Sequence, residues 1–186
     1  MAQTATMFRI ELELSDIDRG VYCTESLRVA QHPSEEIQRL VARMLAFALC
    51  WEERLAFARD LDDAEEPALW AHHDQGGIAH WIEVGTPKAK RLHIKSKLAD
   101  KVTVVVYKGP DDGCEALSRE ISRSRIHQAD AIDVLVLPGS LVSDIAGVLE
   151  RSSSWVVICS DGVLQVIVDG QSFEGTPRRR SLADLQ

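Results

Sequence analysis

The chain has 186 residues and a mass of 20.6 kDa, with 45% hydrophobic and 27% charged residues, an ordinary composition for a soluble globular protein. This length predicts one compact domain over residues 1–186, with a tail from about residue 175 that is loosely held. No stretch approaches the roughly 18 apolar residues of a membrane span, and the N-terminus lacks a secretion signal, so we expect a cytoplasmic monomer without membrane contact. The formal net charge of −8 argues against binding nucleic acid through overall electrostatics.

Charge is unevenly distributed along the chain. An acidic run contains Asp60, Asp62, Asp63, Glu65 and Glu66, and a basic run contains Lys88, Lys90, Arg91, Lys95, Lys97 and Lys101. Either run is typical of a solvated surface, but the basic run also offers a surface for a phosphate backbone. The tail carries three arginines at 178–180 and is either loosely held or in contact with a polyanion.

The four cysteines predict neither zinc binding nor disulfides. They lie far apart, form no CxxC pair and occur within periodic segments, at Cys23, Cys50, Cys114 and Cys159. This spacing favours buried free thiols.

The N-terminal third predicts a hairpin followed by a long helix. Residues 6–14 and 20–30 alternate between polar and apolar, with a turn at 15–19. Pro33 and the acidic residues after it are typical of a helix start, and apolar residues then recur at helical spacing from Ile37 to Leu55. Glu35 lies at this start, where a carboxylate often has only a capping or dipole role.

Residues 67–75 contain a predicted short helix around Pro67–Trp70 and two adjacent histidines, His72 and His73. Adjacent histidines seldom both face one ion, so a zinc site is disfavoured. Asp74 follows in a glycine-rich turn, where aspartate commonly bonds its own backbone.

Glu83 lies in an apolar segment, Ile78–Gly85, that predicts a strand. Because side chains alternate across a strand, Glu83 and Trp81 point to the same side. A carboxylate in this setting is partly desolvated and requires a hydrogen bond, a cation or a metal. Both a structural ion pair and a functional site satisfy that requirement.

The C-terminal half alternates helices and strands. Helices are predicted from Thr86 to about Ala99, and over 112–124 and 139–151; strands are predicted over 101–107, 131–137, 153–160 and 163–168. This rhythm predicts an α/β protein with a mixed, partly parallel sheet, flanking helices and additional antiparallel hairpins. The chain contains no GxGxxG, GxxxxGK[ST] or GxSxG motif, which disfavours dinucleotide, P-loop and serine-hydrolase chemistry.

Three carboxylates form a candidate metal site if the fold brings them together. Glu35, Asp74 and Glu83 would then hold Mg²⁺ or Mn²⁺, the hard cations that prefer oxygen ligands. A metal of this kind lowers the pKa of bound water and offsets charge developing on a phosphate. The basic helix after Glu83 would supply a cation to orient the nucleophile.

Several segments resemble the YaeQ family, in the same order along nearly the whole chain. They include AQHPSEEIQRLVARMLAFAL, WEERLAFARDLDDAEEPALW, HDQGGIAHWIEVGTP and KRLHIKSKLADKVTVVVY. The resemblance implies a compact α/β fold built around a variant of the PD-(D/E)XK nuclease core. In that core, helices and strands surround an acidic metal site.

Carried over by motif, the resemblance implies catalytic roles for Asp74 and Glu83 and a metal-binding role for both together with Glu35. The pattern departs at Gly85, where the family of nucleases has a lysine two residues after the second acid. Arg91 and Lys95, on the following helix, are the candidates to replace it.

Two functions of different classes remain open. The first is a metal-dependent nuclease or phosphodiesterase of undefined substrate that contacts nucleic acid through the basic helix. The second is a nuclease-like fold that no longer cuts and serves as a nucleic-acid- or protein-binding module, which Gly85 and the negative charge favour. An unrelated enzyme using the same acidic pocket is a third possibility.

Overall fold

A computed structural model describes residues 5–58, 65–109 and 112–186. The strands are β1 (Thr6–Asp16), β2 (Val21–Gln31), β3 (Ala56–Phe57), β4 (Leu69–His72), β5 (Ile78–Val84), β6 (Ala99–Val106), β7 (Asp133–Val136), β8 (Ser152–Ser160), β9 (Val163–Val168), β10 (Gln171–Gly175) and β11 (Arg178–Ser181). The α-helices are α1 (Ile37–Leu49), α2 (Ala89–Lys95), α3 (Cys114–Ile121) and α4 (Gly139–Val148). In this part of the chain, no helix is long and apolar enough to cross a membrane.

The strands form two mixed sheets, which confirms the predicted mixed α/β class. The first sheet has the order β10-β9-β8-β1-β2, and the predicted hairpin of β1 and β2 lies at its edge. Strand β1 also pairs in parallel with β8, which follows more than a hundred residues later. The second sheet has the order β11-β7-β6-β5-β4-β3, with β5, β6 and β7 parallel because α2 and α3 connect them.

Helices α1 and α4 lie between the two sheets. Their apolar residues share one core with the inward-facing residues of β1 and β8 and with Ile82, Val84 and Val105 of the second sheet. All residues of α1 from Leu40 to Leu49 are buried, since the helix is covered on every side. The sequence predicts only one buried face for this helix, because periodicity does not reveal a second covering layer.

Helices α2 and α3 cover the other face of the second sheet. This smaller core contains Trp81, Val104, Leu92 and Leu117, with alternate residues of β6 and β7. The fold therefore has four layers: sheet, helices, sheet and helices. Alternate residues of β5 consequently face two different cores, and this places Trp81 and Glu83 on the side of α2.

Several predicted boundaries are wrong for identifiable reasons. Helix α1 ends at Leu49 rather than Leu55, where Arg19 donates to the carbonyl oxygen of Ala48 and Arg179 to that of Leu49. No helix forms at the predicted position 67–70; Leu69 and Trp70 instead begin strand β4, because they pair with β5. Residues 178–181 form β11 against β7, where the sequence predicts a loosely held tail. The acidic residues at 60, 62 and 63 lie outside the described residues.

The four cysteines form no disulfide bonds, as predicted. Cys50, Cys114 and Cys159 are buried, and Cys23 is partly buried. Burial, with a smaller contribution from Asp16, raises the pKa of Cys159 to about 12. This thiol is therefore protonated at neutral pH and is a packing residue.

Candidate functional site

Glu83 is the buried carboxylate of the second sheet. Strand β5 pairs with β4 on one side and β6 on the other, so its side chains are enclosed by strands and by α2. Glu83 is 8% exposed and lies on the same face as Trp81, as strand alternation predicts. The apolar residues around Glu83 in the sequence therefore predict the burial of its carboxylate correctly.

Only one of the two carboxylate oxygens of Glu83 is bonded to described residues. The indole Nε1 of Trp81 donates to Oε1 at 2.7 Å, and Nε of Arg91 donates to the same oxygen. Within the ranges 5–58, 65–109 and 112–186, no hydrogen bond reaches Oε2. A buried carboxylate oxygen with free lone pairs is a position for a cation or a water molecule.

Helix α2 brings two cations to the same place. Arg91 and Lys95 are four residues apart and share one helix face. The Nζ atom of Lys95 lies 4.4 Å from the Trp81 ring centroid, and Cζ of Arg91 lies 5.2 Å from it. Both sequence candidates for the missing lysine therefore converge on Trp81 beside Glu83, and we call Trp81, Glu83, Arg91 and Lys95 the Trp81 cluster.

The segment before β4, which contains Glu65 and Glu66, contacts one side of the Trp81 cluster. Arg91 Nη2 donates to the backbone oxygen of Glu66 at 2.7 Å, and Nζ of Lys95 lies 3.1 Å from Oε2 of Glu65. In the sequence, Glu65 and Glu66 are recognisable only as part of a charged run. Their position directly before a strand that pairs antiparallel to β5 is the signal that would have placed them near Glu83.

Asp74 does not join this cluster. It lies in the turn between β4 and β5, is 74% exposed and pairs with Arg54. Glu83 is five residues beyond the start of β5 at Ile78, which corresponds to about 16 Å along the strand. A single metal ion has ligand distances near 2 Å, so Asp74 and Glu83 cannot both bind it.

Glu35 lies in a third place, where it is fully paired. Its side chain is 3% exposed; Arg39 donates to Oε1 at 2.6 Å and Arg43 to Oε2 at 3.0 Å. Arg43 belongs to α1, which packs on the face of the second sheet opposite Glu83. Burial lowers the pKa of the Arg43 guanidinium, and the charge of Glu35 opposes that shift.

The three carboxylates of the predicted metal site are therefore not brought together. The residues that the structure describes contain no group of three His, Cys, Asp or Glu side chains that could hold a metal ion. The two histidines beside Asp74 also diverge, since His72 Nδ1 is 3.2 Å from the oxygen of Gly77 and His73 Nε2 is 2.7 Å from Asp100. Of the metal ligands that the sequence suggests, Glu83 alone retains an open buried oxygen.

His80 is a second buried polar residue of β5, and no sequence motif identifies it. It lies on the α1 side of β5, with Nδ1 2.8 Å from Oε1 of Glu52 and Nε2 2.8 Å from Oγ1 of Thr103. Both ring nitrogens are thus bonded, and Thr103 is completely buried. This arrangement has no access for a substrate at the hydroxyl, and we assign it a structural role.

Comparison with known proteins gives a consistent result. The family model described as "YaeQ protein" matches residues 1–177. A protein of Escherichia coli (strain K12) named "Uncharacterized protein YaeQ" is 28% identical over 174 residues, which are 94% of each chain. The crystal structure of the YaeQ protein from Xanthomonas axonopodis pv. citri is similar with a TM-score of 0.87 at 34% identity, covering 96% of this chain and 99% of that one. The corresponding values for the YaeQ protein from Pseudomonas syringae are 0.83, 32%, 96% and 97%.

Proposed function

This chain belongs to the YaeQ family, and on that premise we propose that it is a divalent-metal-dependent phosphodiesterase that acts on nucleic acid at the Trp81 cluster. The observation that carries the proposal is the carboxylate of Glu83, which is buried, has one open oxygen and adjoins two cations. The relative from Escherichia coli is named as uncharacterized, so the geometry of this chain supports the proposal.

The Glu83 carboxylate fits a magnesium or manganese ion that takes few ligands from the protein. Mg²⁺ commonly keeps several waters and uses one or two carboxylates together with substrate phosphates. Oε2 of Glu83 provides one such ligand, whereas Glu35 and Asp74 do not reach it. When bound, the metal supplies an activated water and offsets charge on the phosphate. We therefore propose a site that substrate phosphates complete.

Lys95 and Arg91 have different roles in this proposal. Arg91 is held by Glu83, by the backbone of Glu66 and by the Trp81 ring, so it fixes the carboxylate. Lys95 has a side chain that is only 10% exposed, but its partner Glu65 is 82% exposed, so a phosphate that approaches from solvent can displace Glu65 from Lys95. Its ammonium group is therefore available to a phosphate, where it stabilises the charge that develops during cleavage.

Cleavage assays with matched variants test this proposal. Labelled single- and double-stranded DNA and RNA are incubated with Mg²⁺, Mn²⁺ or a chelator. We expect metal-dependent cleavage by the wild type and a loss of about 100-fold or more in Glu83→Gln and Lys95→Met. Lys97→Met, which removes an exposed lysine just beyond the same helix, and Asp74→Asn are the controls and retain activity. Cleavage that survives Glu83→Gln would refute the assignment.

A binding module without activity is the second candidate. The ion pair of Glu83 with Arg91 favours it, because this pair satisfies part of the carboxylate without a metal. Retention on nucleic acid that persists in chelator, weakens with salt and is unaffected by Glu83→Gln would indicate this function. In that case the wild type cleaves none of the four substrates.

A further inference from the structure

A cavity of about 290 Å³ opens at the carboxyl ends of β6 and β7, away from the Trp81 cluster. Its polar lining comes mainly from the loops that follow these two strands and includes Tyr107, Lys108, Asp112, Gly139, Ser140 and Ser143. The start of α1 closes one side with Glu36. None of these residues takes part in the function proposed above.

The cavity lies where the connections of two adjacent parallel strands separate. Strand β6 leads to α3, which packs on the Trp81 face of the second sheet. Strand β7 leads to α4, which packs on the opposite face against α1. In open α/β sheets, this divergence produces the crevice in which ligands bind. The topology therefore gives the cavity the position of a ligand site.

The N-terminus of α4 lines this crevice, and its N-cap residue, Pro138, provides no side-chain cap. The helix has ten residues, and its first amide, Gly139 N–H, donates to Oδ1 of Asp112 at 2.8 Å. The next N–H groups have no acceptor within the helix, and the helix dipole favours an anion there. Gly139 permits the start of α4 to pack closely against Tyr107, since a Cβ atom at that position would lie 2.9 Å from the backbone oxygen of Tyr107.

Tyr107 gives an independent indication of a ligand. It is 7% exposed, and its hydroxyl has no hydrogen-bond partner among residues 5–58, 65–109 and 112–186. Tyr107 belongs to the core that contains α1, and it lines the cavity together with Glu36 from the start of that helix. Leaving a buried hydroxyl unpaired costs free energy, because its hydrogen bonds to water are lost without replacement. A ligand oxygen would remove that cost.

Both carboxylates that line the cavity, Asp112 and Glu36, already have partners. Asp112 is already held by Gly139 N–H and by Arg178, whose Nη2 is 3.2 Å from Oδ2. Lys108 pairs with Glu36 at 2.6 Å, but both side chains are more than half exposed, and such pairs are weak. Lys108 can therefore turn to a stronger anionic partner.

We propose that this cavity binds a phosphate monoester group, with Lys108, the Tyr107 hydroxyl and the N-terminus of α4 as its donors. A phosphate dianion accepts from all three kinds of donor. The group belongs either to a small phosphorylated molecule or to the 5′-phosphate of a nucleic acid. Both have the same chemistry at this site.

Calorimetric titration with inorganic phosphate tests the proposal. We expect saturable binding that weakens about fivefold in each of Tyr107→Phe and Lys108→Gln, which corresponds to one lost hydrogen bond. Tyr107→Phe removes only an unpaired hydroxyl, so it leaves the fold intact. Lys97→Gln removes the same charge beyond the far end of α2 and retains wild-type affinity.

Two further arms identify the source of the phosphate. Adenosine monophosphate is compared with adenosine, and a 5′-phosphorylated oligonucleotide with its 5′-hydroxyl form. Preference for the phosphorylated member of either pair, lost in Tyr107→Phe, supports the proposal and names the source. Absence of saturable phosphate binding by the wild type, or equal weakening by Lys97→Gln, overturns it. Cleavage by the Trp81 cluster is unchanged in Tyr107→Phe, so the two proposals fail separately.

Discussion

Glu35 and Glu83 are two buried carboxylates with arginine partners, yet their surroundings differ. Both oxygens of Glu35 accept bonds, from Arg39 and from Arg43, which is only 1% exposed. At Glu83, Oε1 accepts two bonds, and no described residue donates to Oε2. Arg91, with 20% of its side chain exposed, is also more accessible than Arg43, although it is less accessible than Arg39 at 40%.

This difference distinguishes a structural ion pair at Glu35 from a candidate binding site at Glu83. A fully satisfied buried pair contributes order to the core, and removing one partner leaves an uncompensated charge. A half-satisfied carboxylate beside accessible cations retains capacity for a ligand. The sequence assigns both residues to one metal site, but the structure gives them opposite surroundings.

The largest expected effect is on Glu35. Glu35→Ala lowers the free energy of unfolding by about 3–5 kcal/mol, because the charge of Arg43 loses its partner in the core. Urea denaturation measures this change. Glu36→Ala is the matched control, since Glu36 is 59% exposed and its pair with Lys108 contributes about 0–1 kcal/mol. Equal losses in the two variants would contradict the assignment of Glu35.

Glu83→Gln has a smaller effect on stability. We expect a loss of about 1–3 kcal/mol, because the glutamine carbonyl still accepts from Trp81 while Arg91 keeps the backbone of Glu66 and access to solvent. Thermal melts with and without millimolar Mn²⁺ then sharpen the comparison. The wild type gains stability with metal if Glu83 is a ligand, and the variant does not. A gain of the same size in both would place the metal elsewhere.

His80 provides a pH test on the opposite face of β5. Burial, with help from Lys101, lowers the pKa of His80 below its usual 6.5, and Glu52 and Asp133 oppose this shift. Below pH 6.5 the unfolded chain therefore binds a proton at His80 that the folded chain does not. As the pH falls, the free energy of unfolding decreases by at most about 1.4 kcal/mol per pH unit.

Urea unfolding at pH 7.5, 6.5 and 5.5 measures this contribution in the wild type and in His80→Gln. The stability difference between the two proteins narrows as the pH falls, because only the wild type has the imidazole. A constant difference across this range would show that His80 does not contribute to the acid sensitivity.

The smallest effect is expected at Asp74. Asp74→Asn removes a solvent-exposed pair with Arg54, and pairs of this kind contribute about 0–1 kcal/mol. The stabilisation by Mn²⁺ also stays as in the wild type, because Asp74 precedes the start of β5 at Ile78, which is about 16 Å along the strand from Glu83. Loss of the stabilisation by Mn²⁺ in this variant would show that Asp74 is a metal ligand, as the sequence predicts.

Much of the fold follows from local patterns. Alternation predicts the β1–β2 and β8–β9 hairpins, and helical spacing predicts α1, because these periods report how a segment presents its apolar side chains. The same alternation places Glu83 beside Trp81. The parallel pairing of β1 with β8 and the strand at 178–181 are not predicted, since they depend on partners distant in the chain.

By itself, the sequence determined the order of most elements and the desolvation of Glu83, because both depend on neighbours along the chain, and it suggested Arg91 and Lys95 as candidate cations. Only the tertiary structure decided which carboxylates are neutralised and which retains an open oxygen. That outcome depends on Arg39 and Arg43 meeting Glu35, on Arg54 meeting Asp74, and on a tryptophan and an arginine sharing one oxygen of Glu83. Ion pairing requires distances of a few ångströms between side chains, and these are set by the packing of layers rather than by local periodicity.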